Sequence, residues 1–171
     1  AVVETFTDTN QTVRKILVGG SFTLANGAPR RYLAQFNDNG SVDPGFNPSP
    51  DPGANGIDGF VWAIAVQTDH KVVIGGDFVS INGMARNHIA RLNADGSLDT
   101  SFNNPGTGAS DSVRALTIQL DGRILVGGLF TNFNGTLQNH IVRLNADGSI
   151  DPTFNTGVGV GNNAAFELQP A

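Results

Sequence analysis

The side chains best suited to chemistry in this chain come in three matching sets. "NADGSLD" carries Asn93, Asp95, Ser97 and Asp99, "NADGSID" carries Asn145, Asp147, Ser149 and Asp151, and "NDNGSVD" carries Asn37, Asn39, Ser41 and Asp43. Oxygen donors at alternate positions could ligate a hard cation, which makes Asn93, Asp95, Asp99, Asn145, Asp147 and Asp151 candidates for calcium. The spacing departs from the EF-hand loop, however: glycine falls fourth rather than sixth, and no glutamate follows at the twelfth position. The same residues also make a hairpin turn, in which Asx side chains accept hydrogen bonds from backbone amides. The turn outweighs calcium, because the first set replaces aspartate by Asn39, which weakens a metal site and leaves a turn intact.

Other reactive residues recur in the same way. His88 and His140 are equivalent, with Tyr32 in the first copy. Repetition holds equivalent residues apart, whereas zinc needs several ligands converging, so these histidines read as structural. His70 takes a turn position that Gly122 fills in the next copy. Arg91 and Arg143 align with Gln35, and Arg30 and Arg86 with Gln138, a pattern that suggests pairing between strands or units before ligand binding. A nucleophile, a base and an orienting acid set apart in one copy would signal catalysis, and no such departure stands out. No catalytic or cofactor-binding residue is assigned.

These residues must be positioned by a fold made of strands. The chain has 171 residues, 39% of them hydrophobic, with 22 Gly and 8 Pro clustered among Asn, Asp and Ser between short apolar runs. It contains no Cys, so disulfides and thiolate metal sites are excluded. A net charge of -5 argues against nucleic acid or an anionic membrane surface as partner, and no apolar run is long enough to span a bilayer.

The dominant feature is an internal repeat. "KILVGGSF", "KVVIGGDF" and "RILVGGLF" align on Gly20, Gly76 and Gly128, and the match extends without gaps through Asn26-Gly27, Asn82-Gly83 and Asn134-Gly135 to Gly40, Gly96 and Gly148. In the middle copy the spacing predicts four strands. They are "VWAIAVQ" (61–67), "KVVIGG" (71–76), "HIARLN" (88–93) and the short "SLDTSF", joined by tight turns and a loop at Asn82-Gly83. The second strand is apolar without alternation, as expected when both of its faces are covered. The prediction is therefore an all-β chain of about three tandem four-stranded antiparallel blades, β-propeller-like. It forms one repeat domain, 1–171, with units near 11–59, 60–111 and 112–163 and a spare first strand at 164–171.

The string "ALTIQLDGRILVGGLF…NG…HIVRLNADGSIDPTFN" closely resembles the bacterial delta-60 repeat, a β-propeller family of unknown function found in large secreted or surface-exposed proteins. A weaker likeness links "ILVGG" to kelch repeats. The resemblance implies a propeller located outside the cell or on its surface, and it supplies no catalytic residues.

Both ends leave the pattern. "AAFELQPA" aligns with "RALTIQLD" as an extra first strand, while "FTDTN" is polar where the first unit needs an apolar one. Three arrangements fit: a piece of a longer repeat protein, half of a six-bladed ring, or a fibre subunit donating its last strand through Ala165, Phe166 and Leu168. The inserted link from Pro48 to Gly59, with Asp51 and Asp58, is unique to one unit and the natural place for individual function, and Trp62 beside it is expected to pack between blades. The expected function is a non-enzymatic extracellular structural or adhesive repeat protein, with self-association or further repeat copies as partner. The alternatives are a carbohydrate-binding, lectin-like propeller with a glycan or cell-surface ligand, and a non-catalytic part of a larger secreted enzyme.

Overall fold

In the computed structural model, residues 2–7, 14–48, 56–103, 106–154 and 157 are described, and among them there is no helix. Each repeat folds into one antiparallel sheet unit. Blade 1 contains β1 (Val2–Thr7), β2 (Arg14–Gly19), β3 (Leu24–Ala25), β4 (Ala28–Pro29) and β5 (Leu33–Asn37). Blade 2 contains β6 (Val61–Val66), β7 (Val72–Gly76), β8 (Ser80–Ile81), β9 (Met84–Ala85) and β10 (Ile89–Leu92). Blade 3 contains β11 (Val113–Ile118), β12 (Ile124–Gly128), β13 (Asn132–Phe133), β14 (Thr136–Leu137) and β15 (Ile141–Leu144). The sheet orders are β1-β2-β5, β6-β7-β10 and β11-β12-β15, so the second strand of every repeat is central.

The fourth strand is reduced to one bridge per blade, Phe36 to Val42, Leu92 to Leu98 and Leu144 to Ile150. Asp99 explains why the ladder stops in blade 2: its carboxylate accepts the Ser101 N–H at 3.0 Å, which turns the chain away. The Asn-Gly loops are miniature hairpins, β3-β4, β8-β9 and β13-β14. At Asn134 and Gly135, φ is 48° and 76°, the double positive φ of a type I′ turn.

The first blade finds its opening strand earlier than a gapless alignment suggests. Val2 pairs with Gly19, the position equivalent to Ala63 with Gly75, so the turn between the first two strands is longer than in blade 2. "VVETFT" is rich in β-branched residues, whereas a gapless alignment would extend the first strand through Asp8, Thr9 and Asn10, a polar stretch poor in strand formers. Blades 2 and 3 add a register shift at Trp62 and at Arg114, bulges that turn these side chains out of the ladder.

The core lies between blades. One cluster joins Leu17, Leu33 and Phe46 of blade 1 to Val72, Ile74, Phe78 and Leu92 of blade 2. The next joins Val73, Ile89 and Phe102 of blade 2 to Ile124, Val126, Phe130 and Leu144 of blade 3. Alternate residues of one strand thus face opposite neighbours, which is why the second strand is apolar throughout. The glycine pair ends that strand where a neighbouring chain crosses: a Cβ on Gly128 would fall on the Ser112 carbonyl and within 2.9 Å of Val113 Cα.

Two alanine substitutions separate crowding from backbone strain. G128A should destabilise the fold by about 3 kcal/mol because its obstacle is backbone. G135A meets nothing within 4 Å and should lose only about 1 kcal/mol through its positive φ. Urea unfolding checks the order, and equal losses would contradict it.

Candidate functional site

Each blade pins its outermost turn with an acid. In blade 1, Lys15 Nζ lies 2.6 Å from Asp43. In blade 2, Asp99 Oδ2 accepts from Lys71 Nζ at 3.0 Å and from Arg91 Nε at 2.9 Å. In blade 3, Asp151 Oδ2 accepts from Arg143 Nε at 2.8 Å and forms an ion pair with Arg123, whose Nε lies 3.2 Å away. The guanidiniums of Arg91 and Arg143 also stack on Phe102 and Phe154, 4.8 and 4.7 Å from the ring centres. Arg91 reaches across to blade 3 as well, donating to Ala146 O at 2.6 Å. Gln35, which replaces these arginines in blade 1, is buried.

The calcium candidates form turns. Asp95 Oδ1 accepts from Ser97 N at 2.8 Å and from its hydroxyl at 2.6 Å, while Asn93 Nδ2 donates to that hydroxyl at 2.9 Å. Asp147, Ser149 and Asn145 repeat the pattern, and Asn39 makes it with Ser41 although it is uncharged. The carboxyls of Asp95 and Asp147 are held below the usual range, chiefly by the serine hydroxyl and then by the serine N–H. Among the described residues, no three His, Asp or Glu side chains form a group that could hold a metal ion.

The histidines brace the glycine pairs. His88 and His140 adopt φ of 64° and 65°, and the ring Nδ1–H of each donates to the carbonyl of Gly76 or Gly128 at 3.1 Å. Within the inserted link, Asp51 lies outside the described residues, while Asp58 caps β8 by accepting from the Val79 and Ser80 amides at 2.8 and 3.0 Å. The candidate assembly residues Ala165, Phe166 and Leu168 also lie outside the described residues.

Among the described residues, two further polar surfaces combine side chains that the repeat motifs did not group together. At the turn end of blades 2 and 3, Gln67, Asp69, Arg91, Gln119, Leu120 and Asp121 line a groove of about 600 Å³. The Gln119 Oε1 atom is buried there and has no hydrogen-bond partner among the described residues. At the opposite end, the rings of Tyr32, Phe60 and Trp62 meet edge to face at 5.5 and 5.4 Å. Trp62 Nε1 donates to Asp77 at 2.7 Å, the Ser112 hydroxyl also donates to Asp77, and Arg114 stacks on Trp62 at 4.9 Å. A signal for this cluster existed: the residue after the glycine pair is Ser21, Asp77 or Leu129, acidic in one copy alone.

The acid clasps dictate a pH response. The Ser101 hydroxyl, Lys71 and Arg91 outweigh the opposing effect of burial and hold Asp99 far below 3.8. Asp151 falls to about 2, chiefly through the Thr153 hydroxyl and N–H. A depressed folded pKa gives stability that is complete above the unfolded value and is lost as pH falls through the folded one. Urea midpoints should therefore hold steady from neutral pH down to about 5 and then fall between about pH 4 and pH 2. D151N should shallow that acid fall. At pH 7, D99N should destabilise the chain by about 3 kcal/mol, because it leaves buried Arg91 without its anion.

A family model described as Domain of unknown function (DUF5122) beta-propeller matches residues 14–46, 67–102 and 119–154. No curated protein matches the chain, and no solved structure does. The three matched segments cover more than half of the sequence, and each spans the central and outer strands, the hairpin and the clasped turn of one blade. The chain belongs to the DUF5122 β-propeller family.

Proposed function

We propose that this chain is a non-enzymatic structural or adhesive repeat protein, secreted or held at a bacterial cell surface, that works through blade-to-blade contacts. The observation that carries this reading is the use made of its charge. Lys15, Lys71, Arg91, Arg123 and Arg143 pair with Asp43, Asp99 and Asp151 at equivalent places in the three blades. The clasps do the same work in each repeat, and none is set apart as a specialised acid or base. The resemblance to surface-exposed repeat proteins supplies the location. Fractionation of the natural source is the test: the chain should be found outside the cell or on its surface, in species heavier than one copy. A cytoplasmic monomer, or turnover of a substrate by the purified chain, would overturn the reading.

A lectin-like second reading draws on the groove between blades 2 and 3. The unpartnered Gln119 Oε1 suits a hydroxyl donor, and the nearby Asp69 and Asp121 suit more, the donor-rich face that a sugar presents. On a glycan array, a bound sugar whose signal drops about tenfold in Q119A would favour this reading. A blank array, or binding that Q119A leaves unchanged, would remove it.

A further inference from the structure

The two blade interfaces use the same positions, and the equivalent positions on the far faces of blades 1 and 3 are more open to solvent. On the leading side of each interface stand three side chains: Leu17, Leu33 and Phe46 in blade 1, then Val73, Ile89 and Phe102 in blade 2, all at most 1% exposed. Their equivalents in blade 3, Leu125, Ile141 and Phe154, are only half-buried. On the receiving side stand Val72, Ile74, Phe78 and Leu92 in blade 2 and Ile124, Val126, Phe130 and Leu144 in blade 3, all 0% exposed. Their equivalents in blade 1, Ile16, Val18, Phe22 and Phe36, are again half-buried.

Glycines report the same vacancy independently. A Cβ on Gly96 would lie 2.9 Å from the Asn47 nitrogen of blade 1, and a Cβ on Gly148 would lie 2.7 Å from the Asn103 nitrogen of blade 2. At these seats the preceding blade donates Asn47 N to Asp95 O and Asn103 N to Asp147 O, at 2.9 and 2.8 Å. At the equivalent Gly40 of blade 1, nothing lies within 4 Å of a Cβ. Blade 1 thus carries the same seat, and no described residue fills it.

Resting on the reading of an assembling repeat protein, we propose that Leu125, Ile141 and Phe154 of blade 3 dock onto Ile16, Val18, Phe22 and Phe36 in blade 1 of a second copy of this chain. The occupant is identified by continuity with an interface the chain already forms twice, with aliphatic and aromatic groups at matched positions. Charge favours the same pairing. Arg91 of blade 2 donates to the backbone of Ala146 in blade 3. The same geometry at the new interface brings Arg143 to Asp38, an acid where blades 2 and 3 have Ala94 and Ala146. Such a contact is heterologous, so it closes only as a ring or extends as a filament. The three described blades of each of two copies would together make six, within the usual four to eight of closed propellers, so a closed dimer is the form this docking predicts.

Native mass spectrometry and sedimentation of the full chain test this. The chain should give a dimer; V18E and L125K should each weaken it by about tenfold or more, and an equimolar mixture of the two should recover it. Recovery occurs because each partner contributes one intact face and the altered faces meet with opposite charges. D38K, at an exposed position that does not endanger folding, should weaken the dimer a few fold. Circular dichroism melts verify that each variant is folded. A chain that stays monomeric overturns the proposal. So does a dimer sensitive to L125K and indifferent to V18E, because that contact would be tail to tail. Dissociation only on deleting residues 164–171 also overturns it, in favour of strand exchange, while leaving the broader reading of an assembling protein intact.

Discussion

A sheet that is apolar on both faces must have a neighbour on each side, and this requirement organises the molecule. In β7 of blade 2 every residue is buried, because odd and even positions pack against different blades. The free energy at stake is large relative to the stability of a domain, about 1.5–3 kcal/mol for each Val, Leu, Ile or Phe fully withdrawn from water. No blade could meet the requirement alone. The repeat is therefore an energetic unit as well as a sequence unit, and among the described residues blades 1 and 3 differ from blade 2 in surroundings more than in composition.

Polar groups serve the same packing. An aspartate at the rim of each blade would be costly to bury unpaired, so it is satisfied from several directions: the amide two residues on, a lysine or arginine at the start of the central strand, and in blades 2 and 3 also a following hydroxyl and an arginine from the third strand. The arginine's guanidinium in turn lies over a phenylalanine ring. Charge is thereby used to hold the outer turn against the sheet. Where Gln35 replaces arginine, one lysine remains to hold the acid.

Individual character appears where the repeats stop matching. The register shifts at Trp62 and Arg114 release two side chains from the ladder, and Asp77 gathers them with Ser112 into a cluster that spans blades 2 and 3. The groove at the other end arises because the β6-β7 and β11-β12 turns stand side by side and enclose Gln67 and Gln119. These surfaces surround the shared frame and leave it unaltered, so a ligand could be exchanged there without disturbing the packing of the blades.

The repeat, the all-β architecture, the central position of the glycine-terminated strand and the turn character of the "NADGS" segments are legible in the letters alone. Each of these is local: an unbroken apolar run, an Asn-Gly or Asp-Gly pair, or a serine two residues after an aspartate has one low-energy arrangement within reach. The sequence also suggested that the recurring arginines pair, but without their partners, since Arg91 meets Asp99 eight residues on and Ala146 in another blade. That pairing emerges from the packing of the blades. The tertiary structure also decided that the opening strand is Val2–Thr7, that the fourth strand shrinks to one bridge, and that Leu125, Ile141 and Phe154 lie half open while their equivalents are sealed. The physical reason is the same in each case: burial belongs to the neighbour as much as to the residue, and near-identical repeats cannot record in their own letters which of them has one.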